Sequence, residues 1–266
     1  MPLTISHPAA VIPLKKFGLP LSALVTGSVI PDFEFFLRFS STRVVGHTLP
    51  GIFLFCLPVG ILILFLFHKI IKKPLLALLP QSHRSRISAA GTEFSFFPFR
   101  QFIKIIMALL IGILSHLLFD SLTHENSFFT SHISLLSYSI FKTPFGSLRV
   151  YFLLQQLLSF IGFLLILRWY SAWYKRITHS RTHPSGLSRN QKQKILVLIM
   201  LFTLITIFIT VPVITFSGNN LDHAAFFKSL ISNTAVVSVS VTLLILFLYS
   251  IWWHIFLPDS QKQYPI

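Results

Sequence analysis

Long apolar runs separated by short polar intervals dominate the chain from residue 49 onward. Five of them, at about residues 49–67, 102–122, 150–169, 195–216 and 234–257, carry almost no charge. A bare run of about 18 residues or more predicts a helix that crosses a bilayer, because about 20 residues at 1.5 Å each span about 30 Å of hydrocarbon. A sixth stretch, 19–30, is too short to span and predicts an interfacial or re-entrant helix. The predicted fold class is all-α: a multi-pass membrane protein with about five transmembrane helices and short N-terminal interfacial or re-entrant helices.

Residues 1–48 mix polar and apolar positions. Thr4 or Ser6 would cap a short helix with Pro8 in its first turn, where proline is tolerated. Gly18-Leu19-Pro20 ends that helix. The next helix is expected to stop at Pro31, since the residue before a proline is biased away from the helical region. Prolines interrupt this segment and no basic stretch leads it, so no cleavable signal peptide is expected and the first span would act as an uncleaved insertion signal. The interval 121–149 reads as a polar-aromatic loop. Two regions are expected: a membrane domain over 1–175 carrying the candidate site, and 176–266, a basic linker with Pro184, Ser185 and Gly186 followed by a helical pair.

The chain is 53% hydrophobic with a net charge of +15, from 22 Lys and Arg against 7 Asp and Glu. Such a surplus invites a nucleic-acid reading, but position argues for topology. Seven Lys or Arg lie from Lys69 to Lys104 and seven more from Arg168 to Lys194, so 14 of the 22 flank two alternate loops. That is the positive-inside pattern, and it predicts those loops, and the C-terminus with Lys262, on the cytoplasmic side of the cytoplasmic membrane. Lys15, Lys16, Arg38 and Arg43 would then be external, against the trend. The phenylalanines at 94, 96, 97 and 99, beside the basic His83-Arg84-Ser85-Arg86, read as an anchor against anionic lipid. Cys56 is the only cysteine, so a metal site would be built from His and carboxylate.

Four of the seven carboxylates stand near histidines: Asp32 and Glu34 between His7 and His47, and Asp120 and Glu125 around His124, with His116 one turn before Asp120. Ionisable groups at a bilayer are costly, which makes them candidates for function. In His116-x-x-x-Asp120-x-x-x-His124, residues four apart share one helix face, provided the helix reaches His124. His116 and Asp120 could hold one ion, Asp120 could orient His116, or the pair could stiffen a helix end. Pro31-Asp32-Phe33-Glu34 could present carboxylate oxygens to a cation or be an ordinary turn or cap. His7 and His47 alone read as interfacial or as ligands. The predicted orientation places all of these at the extracytoplasmic face.

The opening Met1-Pro2-Leu3-Thr4-Ile5-Ser6-His7-Pro8-Ala9-Ala10, Leu19 to Val25, Gly27 to Glu34, and Ser115 to His124 resemble a family of uncharacterised bacterial multi-pass membrane proteins, a domain of unknown function. The similarity covers roughly residues 1–175. That family is similar in motif order to inner-membrane metal-dependent hydrolases and, more remotely, to zinc-dependent phospholipase C. The resemblance implies His7, Asp32, His47, His116 and Asp120 as ligands of a divalent metal, zinc above all, with His124 and Glu34 as further carry-overs. Gly46-His47-Thr48 lacks the fuller His-Arg-x-x-Thr-His-Ser pattern of those hydrolases, which bears on a second metal. It also implies helices around the metal.

Two functions follow as expectations. One is a membrane-embedded metal-dependent hydrolase acting on a lipid or phosphoester, with membrane lipids as partners and no nucleic acid, and with Glu34 or Glu125 as candidate general base. The other is a non-catalytic membrane protein in which the His/Asp cluster is a structural pin or an ion site on a transport path.

Overall fold

Thr48 caps the helix that starts at Leu49, accepting from Gly51 N, and Pro98 precedes the helix that starts at Phe99. The computed structural model describes residues 4–40, 42–90, 94–143, 146–177, 187–216 and 223–257. Met1, Pro2, Leu3, Arg181, Pro184, Ser185, Gly186 and Lys262 lie outside the described residues. A short helix α1 (Pro8–Val11) is followed by α2 (Leu21–Arg38). Five helices are long and apolar enough to cross a membrane: α3 (Leu49–Leu78), α4 (Phe99–Thr123), α5 (Val150–Arg176), α6 (Arg189–Phe216) and α7 (His223–Phe256). The all-α membrane architecture is therefore that of the apolar runs. Most of the helices outrun them, because polar residues at helix ends still complete the backbone ladder.

The chain divides into two compact units. The first comprises Met1–Glu34, Arg43–Leu64 and Ser95–Tyr170; the second comprises Phe35–Thr42, Phe65–Phe94 and Ser171–Ile266. In the first, Ile30, Ile52, Cys56 and Ile113 form a core, with Phe33, Phe55, Val59 and Leu117 packed around it. In the second, Ala77, Leu78, Tyr249, Trp253 and Leu257 form one cluster and Val211, Val237 and Val241 another.

Three local expectations need correction. Helix α2 does not stop at Pro31 but runs through it to Arg38. Proline removes the N–H that would bond to Gly27 O and crowds that turn. The helix continues because it crosses α4 backbone to backbone: a Cβ on Gly27 would lie 2.3 Å from Leu109 O, and one on Gly112 2.6 Å from Leu24 O and Ser28 N. Small residues allow such close crossings, and a side chain of α4, His116, bonds to the neighbouring carbonyl Ser28 O. Second, α1 has His7 as its N-cap with no side-chain cap bond, although Pro8 does occupy the first turn. Third, the interval 121–149 is not a plain loop. It contains an antiparallel hairpin, β1 (Ser139–Thr143) with β2 (Gly146–Arg149), its register shifted between Ser139 and Phe141.

Candidate metal centre

Asp32 stands on α2 just past Pro31, His47 in the turn leading to α3, and His116 and Asp120 one turn apart on α4. Folding brings the four together. His47 Nε2 lies 3.3 Å from His116 Nε2, 3.4 Å from Asp32 Oδ1 and 3.2 Å from Asp120 Oδ2. His116 Nε2 is 3.5 Å from each of those carboxylate oxygens. A tetrahedral ion with bonds of about 2.0–2.1 Å needs ligand atoms about 3.3 Å apart. The five separations fit that spacing, and the four residues form a His/Asp group whose ligand atoms all lie within 4.8 Å of one another.

Backbone and side-chain partners aim these donors. His116 Nδ1–H donates to Ser28 O at 2.9 Å. A carbonyl only accepts, so this contact fixes the proton on Nδ1 and leaves Nε2 to hold either a second proton or a metal ion. Thr4 Oγ1 donates to Asp32 Oδ2 at 2.6 Å, leaving Oδ1 facing the imidazoles. Glu34 accepts from the backbone N–H groups of Val44, Val45 and Gly46, the shortest at 2.8 Å. Its carboxylate ties down the loop that carries Arg43 and His47. Thr48 caps α3 directly after His47, its hydroxyl accepting from Gly51 N at 3.0 Å.

The remaining sequence candidates fall around this core. The His7 ring lies on that of His116, centroids 4.1 Å apart, and His7 Nε2 is 3.8 Å from Asp120 Oδ1. Both atoms are buried without a hydrogen-bond partner among the described residues. Polar atoms in such a place are ordinarily satisfied, and a cation beside them would satisfy both. Helix α4 ends at Thr123, so His124 is extended and not on the shared helical face. Its Nδ1–H donates to the Asp120 backbone carbonyl at 3.2 Å, and its Nε2 accepts from Arg43 at 2.9 Å and from Gln155 at 3.2 Å. Glu125 pairs with Arg149 at 2.9 Å, both well exposed.

Arg43 was legible in the sequence only as a charge against the predicted orientation. In the structure its Nη2 donates to Asp120 Oδ2 at 2.6 Å, and its side chain is 33% exposed, so it stands between the cluster and the exterior. Gln155, buried in α5, is a second residue the motifs did not reveal. Its signal was the adjacent pair Gln155-Gln156 in a largely apolar span.

Burial pushes the His7 imidazole down from 6.5 to about 4, and the neighbouring His116 acts in the same direction. Burial works to raise the Asp32 carboxyl, but hydrogen bonds from His116 and His47 outweigh it and hold the group well below the usual carboxylate range. Asp32 is thus a carboxylate and His7 a neutral imidazole at neutral pH, the forms in which both can bind metal. The donor set of two carboxylates and two or three imidazoles suits zinc and other borderline divalent ions.

The fold and the cluster together define a multi-pass helical membrane protein with a buried His/carboxylate group whose donor atoms lie close enough together to hold a metal ion. Residues 1–251 match the model of a family described as a domain of unknown function (DUF4184), and the chain belongs to that family. No curated protein and no solved structure matches it.

Proposed function

We propose that the chain is a metal-dependent hydrolase embedded in the bacterial cytoplasmic membrane, acting on a lipid or phosphoester at the extracytoplasmic face. The observation that carries this reading is the spacing of the four donors around a point flanked by two unpartnered buried atoms, His7 Nε2 and Asp120 Oδ1. Asp32, His47, His116 and Asp120 would hold the ion, zinc by donor type, with His7 adjoining it. When bound, a divalent ion supplies Lewis acidity and a water nucleophile at neutral pH. Arg43 is placed to receive the negative charge of a phosphoryl group, a role for which its planar fork of N–H donors is suited. Glu34 holds the loop bearing Arg43 and His47 in register. The remote likeness to metal-dependent hydrolases supports the same class, and the distribution of basic loops supports the face.

A second reading has its own support. Four protein donors can close a tetrahedral shell, which is the mark of a structural metal site rather than a catalytic one. Elemental analysis of the detergent-purified protein, beside His116→Ala and Asp120→Ala, separates these from a metal-free cluster. About one equivalent of metal, absent from both variants, is the expected result. Turnover of phosphoester or lipid substrates by the loaded protein then marks the enzyme, and metal retention without turnover marks the structural site. No metal above background in folded wild-type protein overturns both.

A further inference from the structure

Beside the cluster, a cavity of about 160 Å³ is bounded by the N-terminal segment, α4 and α5. Its polar lining is Ser6, His7, Thr123, Gln155 and Ser159, and apolar side chains such as Ala10, Phe119, Leu158, Ile161 and Leu165 form most of the rest. Of the polar residues, His7 adjoins the His/Asp group directly, with Nε2 3.8 Å from Asp120 Oδ1, and Gln155 reaches it through His124, donating to His124 Nε2 at 3.2 Å. The polar end of the groove thus shares the His7 side chain with the surroundings of the cluster.

Its other end runs along a membrane span. From Gln155 to Leu165, α5 rises about 15 Å, half of a hydrocarbon layer of about 30 Å, which is the depth of one leaflet. Gly162 lets the N-terminal segment lie directly on α5, since a Cβ there would be 2.9 Å from Ser6 O and 3.0 Å from Ser6 Cβ. An apolar cavity of about 150 Å³ admits a group the size of benzene, enough for a section of hydrocarbon chain. Among the components of a bilayer, the acyl chain has the matching chemistry. At the polar end, Arg43 uses only Nη2 in its bonds to Asp120 and His124, and its Nη1 and Nε have no hydrogen-bond partner among the described residues. An anionic phosphate would engage them.

We propose that this groove seats a section of one acyl chain of a bilayer phospholipid whose phosphate lies at Arg43 and the His/Asp cluster, so that the substrate enters sideways from the leaflet. This assignment rests on the hydrolase reading above.

The test is photolabelling of the full chain in nanodiscs containing phosphatidylglycerol with a diazirine in the acyl chain. A parallel sample carries the same acyl chains on diacylglycerol. Labelling is expected to concentrate on peptides carrying Leu158, Ile161 and Leu165, and to be several-fold stronger for the phospholipid. Ser159→Trp, which puts a bulky side chain into the groove, should remove most of that labelling. Ala10→Phe is the independent second block, and Leu164→Trp, on an exposed position of α5 away from the groove, should leave labelling unchanged. Metal content is measured on every sample. Uniform labelling around α5, indifference to both blocking variants, or equal labelling by diacylglycerol overturns the groove assignment even where metal is bound. Groove labelling in protein that holds no metal overturns the assignment of that lipid as substrate.

Discussion

Helix α2 crosses α4 through Gly27 and Gly112 and buries Asp32, His116 and Asp120 beside the crossing. Helix α6 meets α7 through Val211, Val237 and Val241, and the polar groups there are neutral: Asn233 Nδ2 donates to Thr215 Oγ1 at 3.2 Å. Of these four helices α4, α6 and α7 are long and apolar enough to lie in a membrane, where packing and a few hydrogen bonds drive association. The valine pair needs only shape and a neutral bond. The glycine crossing holds backbones close enough for one helix's carbonyl to orient the other's imidazole, and it keeps carboxylates where charge is costly. A buried charge has to be matched by donors fixed in advance, and that matching distinguishes a chemical site from a joint.

The largest expected effect comes from spoiling the glycine crossing. Gly27→Leu forces a side chain into the Leu109 backbone and should cost about 3 kcal/mol or more. It should also abolish metal retention, as seen by thermal unfolding and elemental analysis in detergent. Acid should act on the same unit. In the folded, metal-free chain His7 is neutral down to about pH 4, whereas unfolded it takes up a proton near its ordinary value of 6.5. The unfolded state then binds more protons throughout that window, so stability falls as pH drops from about 6.5 to about 4, by about 3 kcal/mol at most. His7→Asn should flatten that slope in a pH series of melting temperatures.

Val237→Ala is the control on the other pair. Opening a cavity at a fully buried valine should cost about 1–3 kcal/mol and leave metal stoichiometry untouched. Loss of metal there would erase the distinction between site and joint. Glu34→Gln weakens the bonds to Val44, Val45 and Gly46 without removing a donor from the cluster. Metal affinity should fall about 10–100-fold in a competition titration, with the fold retained. The smallest effect belongs to Asn233→Ala, where one interhelical hydrogen bond in a membrane is worth about 0.6 kcal/mol.

The sequence announced these regions unequally. Spans are set by length and apolarity, which a single run of residues displays, so α3 to α7 were readable directly. The His116-Asp120 spacing was readable because one helical turn brings the pair together. Arg43 was not, because its partner Asp120 is 77 residues away and its charge had already been counted toward topology. The course of α2 through Pro31 depended on Gly27 meeting Leu109 across the crossing, which local propensity does not contain. The hairpin at Ser139–Arg149 was hidden because each strand is too short to show a period. His124 left the expected helical face because α4 ends one residue before it, and helix ends are the least determined feature of a periodic pattern.

The contact from His116 Nδ1 to Ser28 O has a consequence for how such a site would be mapped. Ser28 contributes through its main chain, while its hydroxyl is spent locally on Val25 O at 2.8 Å. A side-chain scan would therefore score residue 28 as nearly silent, although its carbonyl selects which tautomer His116 presents. Replacing the amide that follows Ser28 by an ester would weaken that acceptor and expose the dependence. Within the limits of a buried position, the identity of residue 28 could drift while its chemical duty stayed fixed.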